Sequence, residues 1–364
     1  MPNSQQRKYV LAGVNKADYI CRCLLDDNYD VEVISPNVAL NGEFLPAELR
    51  RYQDGLKHKL FTSLRAKSKI GRAFRRIYMQ CALFAYLVKS VKREEPLIVY
   101  HSLYYCGLVR WVKRITKCKL ILEVEEIYSD AMEGSSRRRE KEVRFFQYAD
   151  AYIFPTELLA ESINTDAKEQ IIAYGNYHCA ERYENKRSDG MIHCVYAGTL
   201  GLKKGGAAAA VAAARHLPER YAVHVLGEGT GQQMRELLIK IDQTNQESQC
   251  RVTYDGVLTG EKFSQFLQSC QIGLSTQNPN GAFNDTSFPS KILTYLCNGL
   301  KVVSVRIPVV ERSAISGAVT FYEEQTPEAI ADAILKVKLD GKDSKDLIRQ
   351  LDLKCKKELA QLIG

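Results

Sequence analysis

The chain has 364 residues, 45% hydrophobic and 26% charged, the shares of a soluble globular protein; at roughly 150 residues per domain, two domains are expected. Net charge is +8, which favours phosphorylated ligands, an anionic membrane surface or nucleic acid. No apolar run approaches the ~20 residues needed to span a bilayer, and residues 1–8 lack a signal-peptide hydrophobic region. The expected location is cytoplasmic, peripheral at most to the inner face of the cell membrane.

In chain order, an apolar run from Tyr9 to Val14 predicts a first strand, Lys16–Asp26 a short helix, and Val31–Ser35 a second strand. From Arg50 to Arg93 there are thirteen Lys or Arg against one acid, Asp54. Leu56, Leu60, Phe61, Leu64, Ile70, Phe74, Ile77 and Tyr78 are interleaved with them. This reads as a basic amphipathic stretch facing solvent or an anionic membrane surface. No recognised nucleic-acid module accompanies the charge, so nucleic acid is not an expected partner. Strands are expected at Leu97–His101, Lys119–Val124, Ala151–Phe154 and Ile171–Asn176, with helices between. That alternation argues for a parallel sheet with both faces covered.

Residues 181–190 are polar and read as a linker between a 1–180 domain and a 191–343 domain. Strands follow at Met191–Tyr196, Ala222–Leu226, Arg251–Tyr254, Ile272–Ser275 and Lys301–Val305, with an Ala-rich helix over Ala207–Leu217. This second alternating unit makes two Rossmann-like halves. Residues 344–364 carry Leu347, Leu351, Leu359 and Leu362 at near-helical spacing. The eleven cysteines are scattered; Cys21 and Cys23 share a helix, and no second cluster completes a metal site. They read as buried free thiols.

Several segments carry candidate chemistry. The turn Gly198–Gly206 follows a strand and opens a helix, so its amides suit a phosphate. Thr199 lies in it, and Lys203 or Lys204 supplies charge there. Gly227-Glu228-Gly229 is a weaker turn signal after the strand ending at Leu226. The segment Asn284–Gly299 holds Asp285, Thr286, Ser287, Phe288, Pro289, Ser290, Lys291 and Thr294, then an Asn-Gly stop. Its helix start offers free N–H groups and the positive dipole end, and Lys291 adds a full charge. In the first domain, Glu125 and Glu126 follow a strand and His101 ends one, where α/β sheets present their sites. All three are candidates for positioning or deprotonating a hydroxyl, against solvated loop acids and a structural histidine.

Over roughly 191–324 the chain resembles GT-B glycosyltransferases, especially glycosyltransferase family 4. The turn to Lys204-Gly205 is similar to the family's Gly-Arg-Leu-x-x-x-Lys-Gly, with Thr199 in place of the Arg. Pro289-Ser290-Lys291 is similar to its Pro-Ser-Lys-x-x-Glu. The family's two glutamates, Glu-x7-Glu, fall on Thr286 and Thr294, and Asp285 adjoins the first. The run through Val302–Val310 is most like bacterial enzymes of capsule or O-antigen synthesis. The resemblance implies two Rossmann-like domains facing across a cleft, a terminal helix that crosses back, and a nucleotide-sugar site. It implies transfer of a sugar, a UDP-sugar being the favoured donor, to a glycan or polyprenyl-linked glycan, with retention and without a metal or other cofactor. Alternatives are a non-catalytic GT-B partner subunit, suggested by the two threonines, and a nucleotide-sugar epimerase using Glu125, Glu126 and His101.

Overall fold

The computed structural model describes residues 7–8, 11–131, 136–183, 187–201, 205–281, 284, 286–340 and 343–364. It divides into two compact units: residues 1–155, 159–176 and 354–364, and residues 156–158 and 177–353. Among the described residues no helix is long and apolar enough to cross a membrane.

In the first unit, β1 (Val31–Ser35), β2 (Glu48–Gln53) and β3 (Leu56–Leu60) form a small sheet in the order β1-β3-β2. β1 runs parallel to β3 and β2 antiparallel to it. Asp54-Gly55 makes the hairpin turn, with Gly55 at φ +78°, a conformation that favours glycine. A second sheet, β4 (Pro96–Tyr100), β5 (Lys119–Glu123), β6 (Ala151–Phe154) and β7 (Glu169–Ile172), is parallel throughout. Leu120, Leu122 and Phe154 are fully buried in its central strands and share one core with Val112 of the helix Cys106–Thr116.

Two expectations are corrected in this unit. The predicted strand at 9–14 is helical where described: the helix is Leu11–Asp26, while Tyr9 and Val10 lie outside the described residues. Buried Lys16, Tyr19, Ile20, Cys23 and Leu24 recur with helical, not alternating, period. The basic stretch is not one amphipathic element. Leu56, Leu60 and Phe61 belong to the hairpin and are buried. The helix Lys69–Ser90 begins where Ser68 caps the Gly71 amide, and Arg75, Met79, Leu83 and Leu87 point inward at four-residue spacing. Ile70, Phe74, Ile77 and Tyr78 remain exposed, at 83%, 65%, 62% and 37%.

The second unit is a six-stranded parallel sheet: β8 (Ile192–Ala197), β9 (Tyr221–Leu226), β10 (Arg251–Gly256), β11 (Ile272–Ser275), β12 (Lys301–Val305) and β13 (Val319–Tyr322). The order is β10-β9-β8-β11-β12-β13. Taken within the unit this is the 3-2-1-4-5-6 order of a doubly wound fold, whose switch point lies between β8 and β11. The edge strand β13 has no counterpart in the sequence reading. The Ala-rich helix is Gly206–Ala213 and continues as one 3-10 turn, Ala214–His216. The final helix is Ser344–Ile363. All eleven cysteines are free thiols; eight are buried, Cys106 and Cys179 are half-buried and Cys81 is exposed.

Candidate functional site

The carboxyl end of the six-stranded sheet assembles around its switch point. β8 ends at Ala197, whose amide donates to Tyr295 Oη (2.8 Å); that hydroxyl donates to Leu274 O of β11 (3.3 Å). Tyr295 is fully buried, and burial pushes its hydroxyl far above the ordinary range. It needs room, which Gly273 supplies: a Cβ there would lie 2.2 Å from Tyr295 Cγ. Tyr295 thus fixes the helix Ser290–Cys297 over the two strands that flank the switch point.

The turns after β8 and β9 lean on each other. Gly198 N donates to Leu226 O (3.0 Å) and Leu200 N to Glu228 O (3.0 Å). Gly227 sits at φ +141°, and a Cβ on it would be 1.7 Å from Gly198 O. Only glycine permits that approach. Gly229 packs on Leu200 and Gln233, and Thr230 with Gln233 forms a capping box opening the helix Gly231–Glu247. The second turn therefore buttresses the first. Tyr196, its hydroxyl pushed up to about 12 by burial, donates to Thr199 O (3.0 Å).

Lys291 joins the two motifs. Its Nζ lies 4.3 Å from the centre of the Tyr196 ring, and a Cβ on Gly198 would be 3.2 Å from it. The sequence separates Gly198 from Lys291 by half the second unit; the sheet order brings them together. The chain reaches this helix through Thr286, Ser287 and Phe288, all half-buried, and buried Pro289; Ser290 is exposed. Thr294 Oγ1 donates back to Ser290 O (3.2 Å), so its proton is committed within the helix. Asn284, buried and bonded to Gln277, Asn278 and Pro279, holds the loop after β11. The sequence reading gave Tyr196, Tyr295 and Asn284 no role. Lys203, Lys204 and Asp285 lie outside the described residues.

The first unit offers different chemistry at the corresponding strand ends. His101 is buried, its Nε2 2.7 Å from Glu142 Oε1. Glu142 also accepts from the amides of Tyr128 and Ser129 (2.9 Å each). Burial pushes this carboxyl up, but the His101 and Ser129 bonds outweigh it and hold it below the ordinary range. The ring packs among Tyr128, Phe145 and Phe146. His101 is thereby placed as a support of the loop after β5, not as an accessible base. Glu126 is half-buried.

Glu125 belongs to a cluster. Lys16 Nζ lies 3.3 Å from Glu125 Oε1 and 3.9 Å from Glu123 Oε1, and donates to Ala173 O (2.5 Å). Glu123 is fully buried, and among the described residues neither of its oxygens has a hydrogen-bond partner. Burial, then the neighbouring Glu125, raises Glu123 well above the ordinary carboxyl range. Burial raises Glu125 too, but the Lys16 charge and the contact with Glu123 more than offset it and hold Glu125 below that range. The environment thus pushes the two carboxyls in opposite directions, Glu123 sealed from solvent and Glu125 30% exposed beside Lys16. Sequence position placed Glu125 correctly at a strand end; Glu123 and Lys16 were missed.

No protein-family model matches the sequence, and no curated protein sequence matches it. Solved structures do match its fold. The α,α-trehalose 6-phosphate synthase of Burkholderia multivorans aligns over 99% of this chain and 93% of its own, at TM-score 0.66 and 12% identity. Sucrose-phosphate synthase of Thermosynechococcus elongatus aligns over 95% and 88%, at 0.61 and 12%. Anabaena HepE, solved with UDP and glucose, aligns over 84% and 85%, at 0.57 and 14%. The fold is GT-B. At such identities the likeness concerns architecture, an α/β chain of two Rossmann-like domains, and leaves the chemistry to the residues.

Proposed function

We propose that the protein is a glycosyltransferase that moves a sugar from a nucleoside diphosphate sugar to a hydroxyl of a glycan or lipid-linked glycan, in bacterial surface polysaccharide synthesis. The observation that carries this reading is Lys291, at the start of the helix Ser290–Cys297, beside the glycine turn at Gly198 on the switch point of the six-stranded sheet. A helix start, a lysine and a glycine turn at one point suit a diphosphate. As the sugar–phosphate bond breaks, charge grows on the leaving diphosphate, and fixed donors lower that barrier. Lys203 or Lys204 adds to this set on the sequence motif, and Asp285 and Thr286 take the donor sugar's side. The solved neighbour bound to UDP and glucose makes a UDP-sugar the first donor to try.

On this reading the acceptor hydroxyl is oriented in the first unit by Glu125, the more accessible member of its pair. Retention at the anomeric carbon needs no stronger base, and the diphosphate charge is met by Lys291 and the helix start without a metal. The exposed Ile70, Phe74, Ile77 and Tyr78, set among Lys67, Lys69, Arg72 and Arg76, suit contact with an anionic membrane surface. That would place the enzyme at the inner face of the membrane, where lipid-linked acceptors are held.

One observation favours the rival reading, a non-catalytic partner subunit. Thr286 and Thr294 stand where the family has glutamates, and the Thr294 proton is already given to Ser290 O. A thermal-shift titration with UDP, GDP, CDP, dTDP and their common sugars decides. A ligand that binds only the folded state raises Tm by mass action, ~2.7 kcal/mol at a hundredfold excess over Kd. We expect a rise with one nucleotide family. A folded protein that none of them shifts would leave the partner-subunit reading in place.

A further inference from the structure

At the amino ends of β4 and β5, the end of the four-stranded sheet away from Glu123 and Glu125, lies a cavity of about 800 Å³. Its wall includes Arg110, Trp111, Arg114, Lys117 and Tyr148. Trp111 is half exposed and Tyr148 39% exposed. The Arg110 guanidinium lies 6.0 Å from the Trp111 ring centre and 5.7 Å from that of Tyr148; the Arg114 guanidinium is 5.7 Å from Trp111. Lys113 is paired with Asp150, which also accepts from the Leu120 amide (2.7 Å), and Lys119 with Glu169 (3.6 Å). Among the described residues, no carboxylate lies within ion-pair distance of Arg110, Arg114 or Lys117.

We propose that this cavity is a second binding site, for an acidic saccharide carrying carboxylate or phosphate groups. The cations define half of the ligand. Two guanidinium forks and an ammonium, held close together without carboxylate partners, match oxyanions in a planar, bidentate manner. The aromatic rings define the other half. Trp111 and Tyr148 both line the cavity with part of each ring exposed, and a flat apolar ring is the complement of a sugar's C–H face. Packing against guanidinium groups restrains the rings, so little rotamer freedom is lost on binding. The cavity falls in the ~300–1,000 Å³ range of small-ligand sites, more than a lone inorganic anion fills.

A nucleotide fits less well. No glycine turn or helix start lines this wall; the helix Cys106–Thr116 presents its carboxyl end, capped by Lys117 at φ +59°. No backbone N–H groups are therefore offered for a compact diphosphate, and the positive charge comes from side chains alone. Such spaced charges suit the repeating single charges of an acidic glycan. All residues lining the cavity belong to the first unit, and the inference does not depend on the proposed diphosphate site.

The test is direct because Trp111 is the chain's one tryptophan. Its fluorescence is titrated with trigalacturonate, with neutral maltotriose, with inorganic phosphate and with UDP. Trigalacturonate should change the emission saturably, with affinity falling as salt rises, and maltotriose should not. The double variant Arg110→Gln/Arg114→Gln should weaken binding at least tenfold, and Arg114→Gln alone should weaken it less; circular dichroism confirms that each is folded. No saturable response to trigalacturonate, an equal response to phosphate, or a stronger one to UDP would each overturn the proposal. A folded double variant that still binds normally would do the same.

Discussion

The two units end their parallel sheets in opposite chemistries. In the second, the strand ends present glycine backbone, a lysine resting on a tyrosine ring and the start of a helix. In the first, they present one buried and one half-buried carboxyl with a buried lysine beside them. Strand-end geometry gives both a mouth for ligands; the side chains decide what each holds. A helix start with a cation suits an anion that grows during reaction. A partly exposed carboxyl beside a lysine suits a hydroxyl that needs orienting. The glycines make the contrast sharper. Gly227 and Gly273 would each clash severely with a Cβ, so the second mouth is built with little tolerance. In the first mouth Gly13 meets only ordinary contact with Tyr100 (3.4 Å), so shape there is freer and charge does more.

The largest expected effect lies in the second mouth. Lys291→Ala should lower kcat by ~10²–10³, the loss found when one donor to a developing anion is removed. KM for the donor should change less, because the charge is smaller in the ground state. Lys291 is half-buried against Tyr196, so the variant should stay folded. Steady-state rates with the nucleotide sugar identified by thermal shift provide the measurement. Unchanged turnover would remove the phosphate role from this lysine and with it the contrast between the units.

The second unit was the more legible in sequence. Ile272–Ser275 and Lys301–Val305 are short runs with no charge after their first residue and four or more buried positions, and the structure returns both unchanged. The helix Ser344–Ile363 was equally plain from its leucine spacing. Val319–Tyr322 escaped notice because an edge strand of four mostly half-buried residues leaves little pattern. In the first unit, charge hid structure. Thirteen cations over 50–93 drew the reading to one basic face, although Asp54-Gly55 between alternating strands is a hairpin signal. Lys291, Thr199, Glu125 and His101 could be nominated from strand ends and motifs. Their partners could not. Glu142 reaches His101 across 41 residues, and Tyr196 meets Lys291 only because β8 and β11 are neighbours. Pairings of that kind are products of the sheet order.

A middle-sized effect would show whether the first unit also has a membrane face that the second lacks. Ile70, Phe74 and Ile77 recur every three to four residues on one side of the helix Lys69–Ser90, opposite the buried Met79, Leu83 and Leu87. Replacing all three by Ser should reduce sedimentation with phosphatidylglycerol vesicles by about tenfold, since each removes apolar area of order 1.5–3 kcal/mol when fully buried and less at an interface. Wild-type binding should weaken with salt and be poor on phosphatidylcholine alone. Equal failure of the wild type on both lipids would leave this stripe without a membrane role.

The smallest effect is the most specific to the carboxyl pair. A carboxyl whose folded pKa is raised binds its proton more tightly in the folded state than in the unfolded one. Its contribution is complete below the ordinary carboxyl pKa of about 4.3 and is lost as pH rises through the raised value. Glu123 is of this kind. Glu125, with its pKa lowered, contributes stability above the ordinary value that is lost as pH falls. The two slopes oppose each other, so the wild-type curve of Tm against pH partly conceals both. Glu123→Gln keeps the shape and hydrogen-bonding capacity but removes the titration, and should flatten the loss toward alkaline pH. Glu125→Gln should flatten the loss toward acid. Each pKa unit of displacement is worth ~1.4 kcal/mol, enough to read in a thermal melt. Parallel curves for both variants and the wild type would show that the proton is not held between them. Curves that diverge toward opposite ends of the pH range would assign the proton to Glu123 and the charge to Glu125, the arrangement that leaves an accessible acceptor for a substrate hydroxyl.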